Sequence, residues 1–258
     1  MNIKILQHDI TWANPKENVK HLNALIDSQK GADLYVLTEM FSTGFATQPE
    51  GIAEPEGCET LEWMKQKAKE CHAAIAGSIA IEKDGNYYNR FYFVKPDGEV
   101  TQYNKRHLFT YGGEHKRFTR GEERVIVEWR GVRFLLLVCY DLRFPVWSRN
   151  RGDYDAILYV ANWPTPRVEA WSALLRARAI ENQCYVAGVN RVGTDPNCEY
   201  CGGSAIISPY GKTLAACEDG KECIASAELD MQELEAFREK FPVLSDADGF
   251  TLNITASP

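Results

Sequence analysis

The chain is poor in the features that mark a membrane, secreted or nucleic-acid-binding protein. No stretch of its 258 residues approaches the roughly 18 consecutive apolar residues of a membrane span. The opening run Met1-Asn2-Ile3-Lys4-Ile5-Leu6-Gln7-His8-Asp9 meets a His and an Asp too early for a signal-peptide apolar region. Positive charge is scarce: 29 Lys and Arg stand against 36 Asp and Glu, a formal net charge of −7, which excludes broad attraction to nucleic acid or anionic lipid. Any anionic small molecule must therefore meet a local cluster of cations. Repeats, low-complexity segments and linkers are also missing. The expectation is a soluble cytoplasmic protein with one domain over residues 1–258 and no nucleic-acid or membrane partner.

Metal-ligand spacing is missing too. Eight cysteines stand at positions 58, 71, 139, 184, 198, 201, 217 and 223, but a chain this long, 45% hydrophobic, can build a core without a disulfide scaffold. Cys198-Glu199-Tyr200-Cys201 has CxxC spacing, yet no second pair or nearby His completes the four ligands of a structural zinc site. The cysteines read as reduced thiols, with no metal.

What is present is an alternation of short β-rich runs with helical patterns. Strands are expected at Ile3–Gln7, Leu34–Leu37, Ala74–Ile81, Arg90–Lys95, Val125–Trp129, Val132–Val138, Ile157–Val160, Tyr185–Asn190, Ser204–Ser208 and Cys223–Glu228. Pro15–Gln29 opens with Asn14 as cap and carries Val19, Leu22 and Ile26 on one face, an amphipathic crossover helix. Further helices are expected at Thr60–Cys71, Val168–Asn182 and Met231–Phe241, the last capped by Asp230. Asp84-Gly85, Asp97-Gly98, Arg130-Gly131 and Tyr210-Gly211 mark tight turns. So many strands exceed what one twisted sheet carries comfortably, which favours two packed mixed sheets with helices outside.

Three apolar strands stop at polar residues. Phe134-Leu135-Leu136-Leu137-Val138 reads as a strand buried on both faces and ends at Cys139-Tyr140-Asp141. Leu34-Tyr35-Val36-Leu37-Thr38 ends at Glu39, and Ile157-Leu158-Tyr159-Val160-Ala161 ends at Asn162-Trp163. Alone, Cys139 reads as a small core hydrophobe and Glu39 as a solvated strand end. Parallel strand ends, however, share one crevice, where α/β proteins place ligands. A thiol of reference pKa about 8.5 needs a base and a nearby positive charge to act as a nucleophile. Glu39 can supply the first. The segment Tyr103-Asn104-Lys105-Arg106-His107 offers several cations for the second, any of which could equally be a surface charge.

Together, Thr38-Glu39-Met40-Phe41, Asn104-Lys105-Arg106-His107 and Leu137-Val138-Cys139-Tyr140-Asp141-Leu142-Arg143-Phe144-Pro145 resemble the three catalytic motifs of the nitrilase, or carbon-nitrogen hydrolase, superfamily, in the same order. The resemblance runs from the first strand to about Phe241. It implies a four-layer αββα sandwich, a homodimer or higher homo-oligomer, no cofactor, and Glu39, Lys105 and Cys139 as base, electrostatic stabiliser and nucleophile. It also implies a second carboxylate after the Lys, which Glu114 resembles; Lys105 and the backbone N–H of Tyr140 are the expected donors to the developing oxyanion. The segments Glu114-His115-Lys116 with Phe118 and Gly121, Asp141 to Asn150 and Tyr159 to Pro164 are most similar to bacterial omega-amidases, which cleave the terminal amide of 2-oxoglutaramate or 2-oxosuccinamate. Val146 departs from the Glu that many members carry there.

For such a substrate, Arg143 is the first candidate to bind the carboxylate, because a guanidinium does so bidentately. A structural ion pair is the competing role. Asn162, Trp163 and Phe41 are candidate pocket residues, with core packing the alternative for Phe41. Other amides, N-carbamoyl compounds or nitriles are alternative substrates, and His107 or His115 an alternative base. A binding protein with a vestigial site is the reading from another class.

Overall fold

In the computed structural model, residues 1–252 are described; the last residues of the expected domain, 253–258, lie outside the described residues. The first half of the chain forms β1 (Asn2–Gln7), β2 (Leu34–Val36), β3 (Glu54–Pro55), β4 (Ala74–Lys83), β5 (Asn86–Val94), β6 (Val100–Asn104), β7 (Ile126–Trp129) and β8 (Val132–Val138). The second half adds β9 (Ala156–Ala161), β10 (Tyr185–Asn190), β11 (Val192–Thr194), β12 (Glu199–Cys201), β13 (Ala205–Ile207), β14 (Thr213–Ala216) and β15 (Cys223–Glu228). Between them lie α1 (Pro15–Ser28), α2 (Glu59–Cys71), α3 (Pro145–Ser148), α4 (Val168–Glu181) and α5 (Met231–Lys240).

The local signals act as expected at most boundaries. Asn14 Oδ1 accepts from the Glu17 N–H at 3.2 Å, and Asp230 caps α5 through the N–H groups of Gln232 and Glu233. Asp84-Gly85 and Arg130-Gly131 all take positive φ, joining β4 to β5 and β7 to β8. Two readings are corrected. The inward residue of the first turn of α1 is Asn18, not Val19, because the Asn18 amide donates to Thr11 O and Ser42 O, each at 2.7 Å. The short strands β3, β6, β11, β12 and β14 were not expected; at two to five residues they carry too few side chains to show alternation.

One sheet runs β15-β1-β2-β4-β5-β6, with β3 also on β4; the other runs β14-β13-β10-β9-β8-β7. Each keeps parallel strands in the middle: β1, β2 and β4 in the first, β8, β9 and β10 in the second. Strand alternation assigns the layers. Ile3, Ile5, Leu34, Val36, Ala74 and Ala76 face the second sheet, with Phe93 against Phe134 at 5.9 Å across the interface. Leu6, Tyr35, Ile75 and Ile79 face outward onto Leu22 and Ile26 of α1 and Met64 and Ala68 of α2. Trp171, Leu175 and Ala179 of α4 and Leu234 of α5 cover the second sheet. This is the αββα sandwich anticipated above. No helix among the described residues is long and apolar enough to cross a membrane.

The stacking brings the carboxyl ends of β2, β8 and β9 to one edge, and the segment after β6 passes beneath them. Lys105 is pinned there through its backbone: its N–H donates to Asn89 O and its carbonyl accepts from the Gly121 N–H, both at 2.9 Å. Gly121 fits only because it has no side chain, since a Cβ would lie 2.1 Å from Asn104 O. Gly121→Ala is therefore expected to cost about 1–3 kcal/mol in urea unfolding and to lower turnover per folded molecule several-fold by displacing Lys105. Unchanged turnover per folded molecule would show that this crossing does not position the lysine.

Candidate active site

Past β2 the ladder continues: the Leu37 N–H donates to Ala76 O and the Phe41 N–H to Ser78 O. That extension carries Glu39 to the sheet edge, where Met40 turns the chain at φ 43°. Glu39 Oε1 accepts from Lys105 Nζ at 2.9 Å and from Asn89 Nδ2 at 2.7 Å; Oε2 accepts from the Asn162 backbone N–H at 2.8 Å. Lys105 Nζ also donates to both oxygens of Glu114, at 3.1 and 3.0 Å. Glu114 is fixed in turn by the Phe109 N–H at 2.6 Å and Asn89 Nδ2 at 3.2 Å. Glu39, Lys105, Glu114 and Asn89 are fully buried. Buried charges persist only when paired and hydrogen-bonded, and here each carboxylate has at least three donor contacts.

Cys139 stands where β8 ends, at φ 45°. A non-glycine residue there stores about 1–3 kcal/mol of strain, which the surroundings must hold in place. Asp141 does the holding. It accepts from the Val138 N–H at 2.9 Å, the Tyr103 hydroxyl at 2.8 Å, and the His107 N–H and Nδ1 at 3.0 and 2.8 Å. One carboxylate thus ties the turn at Cys139 to the segment bearing Lys105. His107 is accounted for by this bond and by stacking on Phe144 at 3.9 Å, and His115 is exposed, so neither stands as a base for the thiol.

Glu39 and Lys105 are the charged groups that act most strongly on the Cys139 thiol. Burial, and then the negative charge of Glu39, hold it well above the usual thiol range, with Lys105 opposing. Burial alone would lower the Lys105 pKa, but Glu114 and Glu39 outweigh it and raise the ammonium above its ordinary value. Burial raises the Glu114 carboxyl, with Lys105 pulling the other way. The resting state is a protonated thiol beside a carboxylate and a fixed ammonium. Such an arrangement is suited to proton transfer on attack and not to storing a thiolate.

Above the thiol opens a pocket of about 470 Å³, lined by Cys139, Tyr140, Arg143, Asn162 and Trp163 and by Phe45, Phe109 and Arg167. Arg143 stacks on Trp163 at 4.8 Å and Arg167 on Phe109 at 5.5 Å. Neither guanidinium forms an ion pair with a carboxylate among the described residues, and Asp195 lines the same pocket. Phe41 is corrected: it is fully buried in the core against Trp63 and the α2 side of the sheet, and Phe45 takes the place expected of it. Val146 is exposed and away from this pocket. Cys198 reaches the pocket rim, and all eight cysteines are free thiols.

Sequence reasoning missed Asn89, Asp141 and Arg167. Asn89 sits mid-strand in Asn86–Val94 and looks like any polar strand position. Arg167 did leave a signal, a cation four residues after Trp163 within the turn Trp163-Pro164-Thr165-Pro166-Arg167.

A family model described as carbon-nitrogen hydrolase matches residues 2–239. The omega-amidase YafV of Escherichia coli (strain K12) is 49% identical over 253 residues, 98% of this chain and 98% of its own. The 2-oxoglutaramate amidase of Bacillus subtilis (strain 168) is 40% identical over 252 residues, 95% of this chain and 96% of its own. The solved structure of XC1258 from Xanthomonas campestris, described as a CN-hydrolase superfamily protein with an arsenic adduct in the active site, matches with a TM-score of 0.95 at 40% identity, covering 98% of this chain and 99% of that one.

The raised thiol gives a pH test. Alkylation of Cys139 by a small uncharged reagent should rise with a midpoint above about 8.5, the ordinary thiol value. Glu39→Gln should move that midpoint down, because it removes a like charge. A wild-type midpoint below the ordinary value, or an upward shift in the variant, would contradict the electrostatics described.

Proposed function

The chain belongs to the carbon-nitrogen hydrolase family, and from that premise we propose that it is an omega-amidase, hydrolysing the terminal amide of 2-oxoglutaramate or 2-oxosuccinamate to the 2-oxo dicarboxylate and ammonia. The observation that carries the reading is a thiol next to a buried carboxylate paired with a lysine, on a pocket holding two guanidinium groups that form no ion pair with a carboxylate among the described residues. In a protein of net charge −7, unpaired cations beside a nucleophile suit an anionic substrate. The identities to an omega-amidase and a 2-oxoglutaramate amidase support the same substrate class.

In this reading Glu39 takes the thiol proton as Cys139 Sγ attacks the amide carbon. Lys105 Nζ and the Tyr140 N–H stabilise the oxyanion. Collapse breaks the carbon–nitrogen bond, and the nitrogen leaves as ammonia with the proton from Glu39. Water, deprotonated by Glu39, then hydrolyses the thioester and frees the acid. Each positioned proton transfer is worth about 10²–10⁴-fold. Glu114 acts through Lys105, keeping the ammonium charged and aimed. The homodimer or higher homo-oligomer, supported by the family resemblance, and the cytoplasmic location, supported by composition and charge, belong to the same proposal.

Arg143, with Arg167 beside it, is assigned to the substrate carboxylate. Ammonia release across a panel of amides, nitriles and N-carbamoyl compounds tests the reading: the two 2-oxo acid amides should be turned over fastest, and Cys139→Ala should release none at an unchanged Tm. A nitrile or carbamoyl compound as best substrate would replace the omega-amidase assignment. Arg143→Lys, which loses the fork geometry, should cut kcat/KM on 2-oxoglutaramate by about thirty-fold or more, given the roughly 2–5 kcal/mol of a broken desolvated charge pair. A neutral amide of similar length should lose far less; equal losses would return Arg143 to a structural role.

A further inference from the structure

One buried acceptor, on a residue that lines the pocket, has no donor among the described residues. Asn162 is 4% exposed and lines the pocket with Cys139. Its backbone N–H donates to Glu39 Oε2 at 2.8 Å, and its Nδ2 donates to the backbone carbonyl of Glu39 at 2.6 Å. A carbonyl oxygen can only accept, so the side-chain nitrogen must face Glu39 and the amide cannot be flipped. Oδ1 therefore points away from Glu39, and no group among the described residues donates to it. The next residue is locked as well: the Trp163 N–H donates to Asn190 Oδ1 at 2.7 Å and Asn190 Nδ2 to Trp163 O at 2.9 Å. Asn162 is thus held by two bonds to Glu39 and a pinned neighbour, and a buried acceptor left without a donor calls for an explanation.

We propose that Asn162 Oδ1 accepts a hydrogen bond from the NH₂ of the substrate carboxamide and so selects primary amides over acyl compounds whose leaving group carries no N–H. This rests on the amidase reading above and names the atom that recognises the amide. A carboxamide nitrogen has two N–H groups. With one held by Oδ1, the lone pair that develops on nitrogen in the tetrahedral adduct is turned toward Glu39, whose Oε2 is held by the backbone of the same Asn162. On collapse the carbon–nitrogen electron pair stays on nitrogen, which takes the proton Glu39 received from the thiol and departs as ammonia. Asn162 itself moves no proton; it is a positioning and specificity residue. An ester oxygen in the same place would turn lone pairs toward Oδ1, and a nitrile nitrogen has no hydrogen to offer.

The test compares 2-oxoglutaramate with the methyl ester at the same carbonyl, which forms the same thioester and carries the same carboxylate. Asn162→Ala also removes the Nδ2 bond to Glu39, so the amide-to-ester ratio of kcat/KM is read together with the binding comparison below, in which Glu39 transfers no proton. The ratio should fall by about tenfold or more, the size expected for a neutral hydrogen bond lost from a desolvated site. Calorimetry on Cys139→Ala with and without Asn162→Ala makes the same comparison without turnover: the amide should lose affinity and the ester should not. Equal losses for amide and ester in either measurement, with wild-type enzyme active on the amide, overturn the role of Oδ1 and leave the amidase reading intact. A wild-type enzyme that releases no ammonia from the amide overturns both.

Discussion

Lys105 is an ammonium buried completely between two carboxylates, and much of the active edge is arranged so that it can stay charged. Removing three ionised groups from water costs several kcal/mol per ion unless geometry and further hydrogen bonds repay it. Asn89 donates to both carboxylates, the Phe109 N–H caps Glu114 and the Asn162 N–H caps Glu39. These donors come from β5, from the loop after β6 and from the end of β9. The cluster therefore closes only when both sheets are stacked in register, which makes the site a consequence of the sandwich and not an addition to it.

A second constraint meets the first at Cys139. The thiol is presented by a backbone conformation that a side chain disfavours, and Asp141 holds it by bonding back to Val138 and across to Tyr103 and His107. Tyr103 and His107 flank Lys105 in sequence. The Cys139 turn and the Lys105 ammonium are thus referenced to one another through a single buried carboxylate. Little in this arrangement can shift without moving both, as preorganised electrostatic stabilisation requires.

The long parallel strands were readable because burial on both faces leaves a continuous apolar run, and a polar residue ending such a run is conspicuous. That is why Glu39, Cys139 and Asn162 could be found without coordinates. Lys105 and Glu114 lie on irregular segments with no periodicity, and only the family resemblance singled them out. Asn89 and Asp141 were hidden for a different reason: their importance lies in the partners they reach, and an Asn within a strand or an Asp in a turn has the same local signature whether or not it joins a buried network. Phe41 shows the converse error. Its closeness to Glu39 in sequence suggested the pocket, but the positive φ at Met40 reverses the chain and sends the ring into the core under α2. The short strands β11 and β12, which carry the pocket rim, were invisible because three residues cannot display a period.

In the proposed mechanism Cys139 becomes acylated because Glu39 takes its proton and Lys105 holds the oxyanion. Rapid quenching of wild-type enzyme with 2-oxoglutaramate, followed by proteolysis and mass spectrometry, tests this most directly. The account predicts a thioester adduct, of the mass of the substrate acyl group, on the peptide bearing Cys139. An adduct on the peptide of Cys58 or Cys184 instead, or turnover with no acylated cysteine at any quench time, would contradict it.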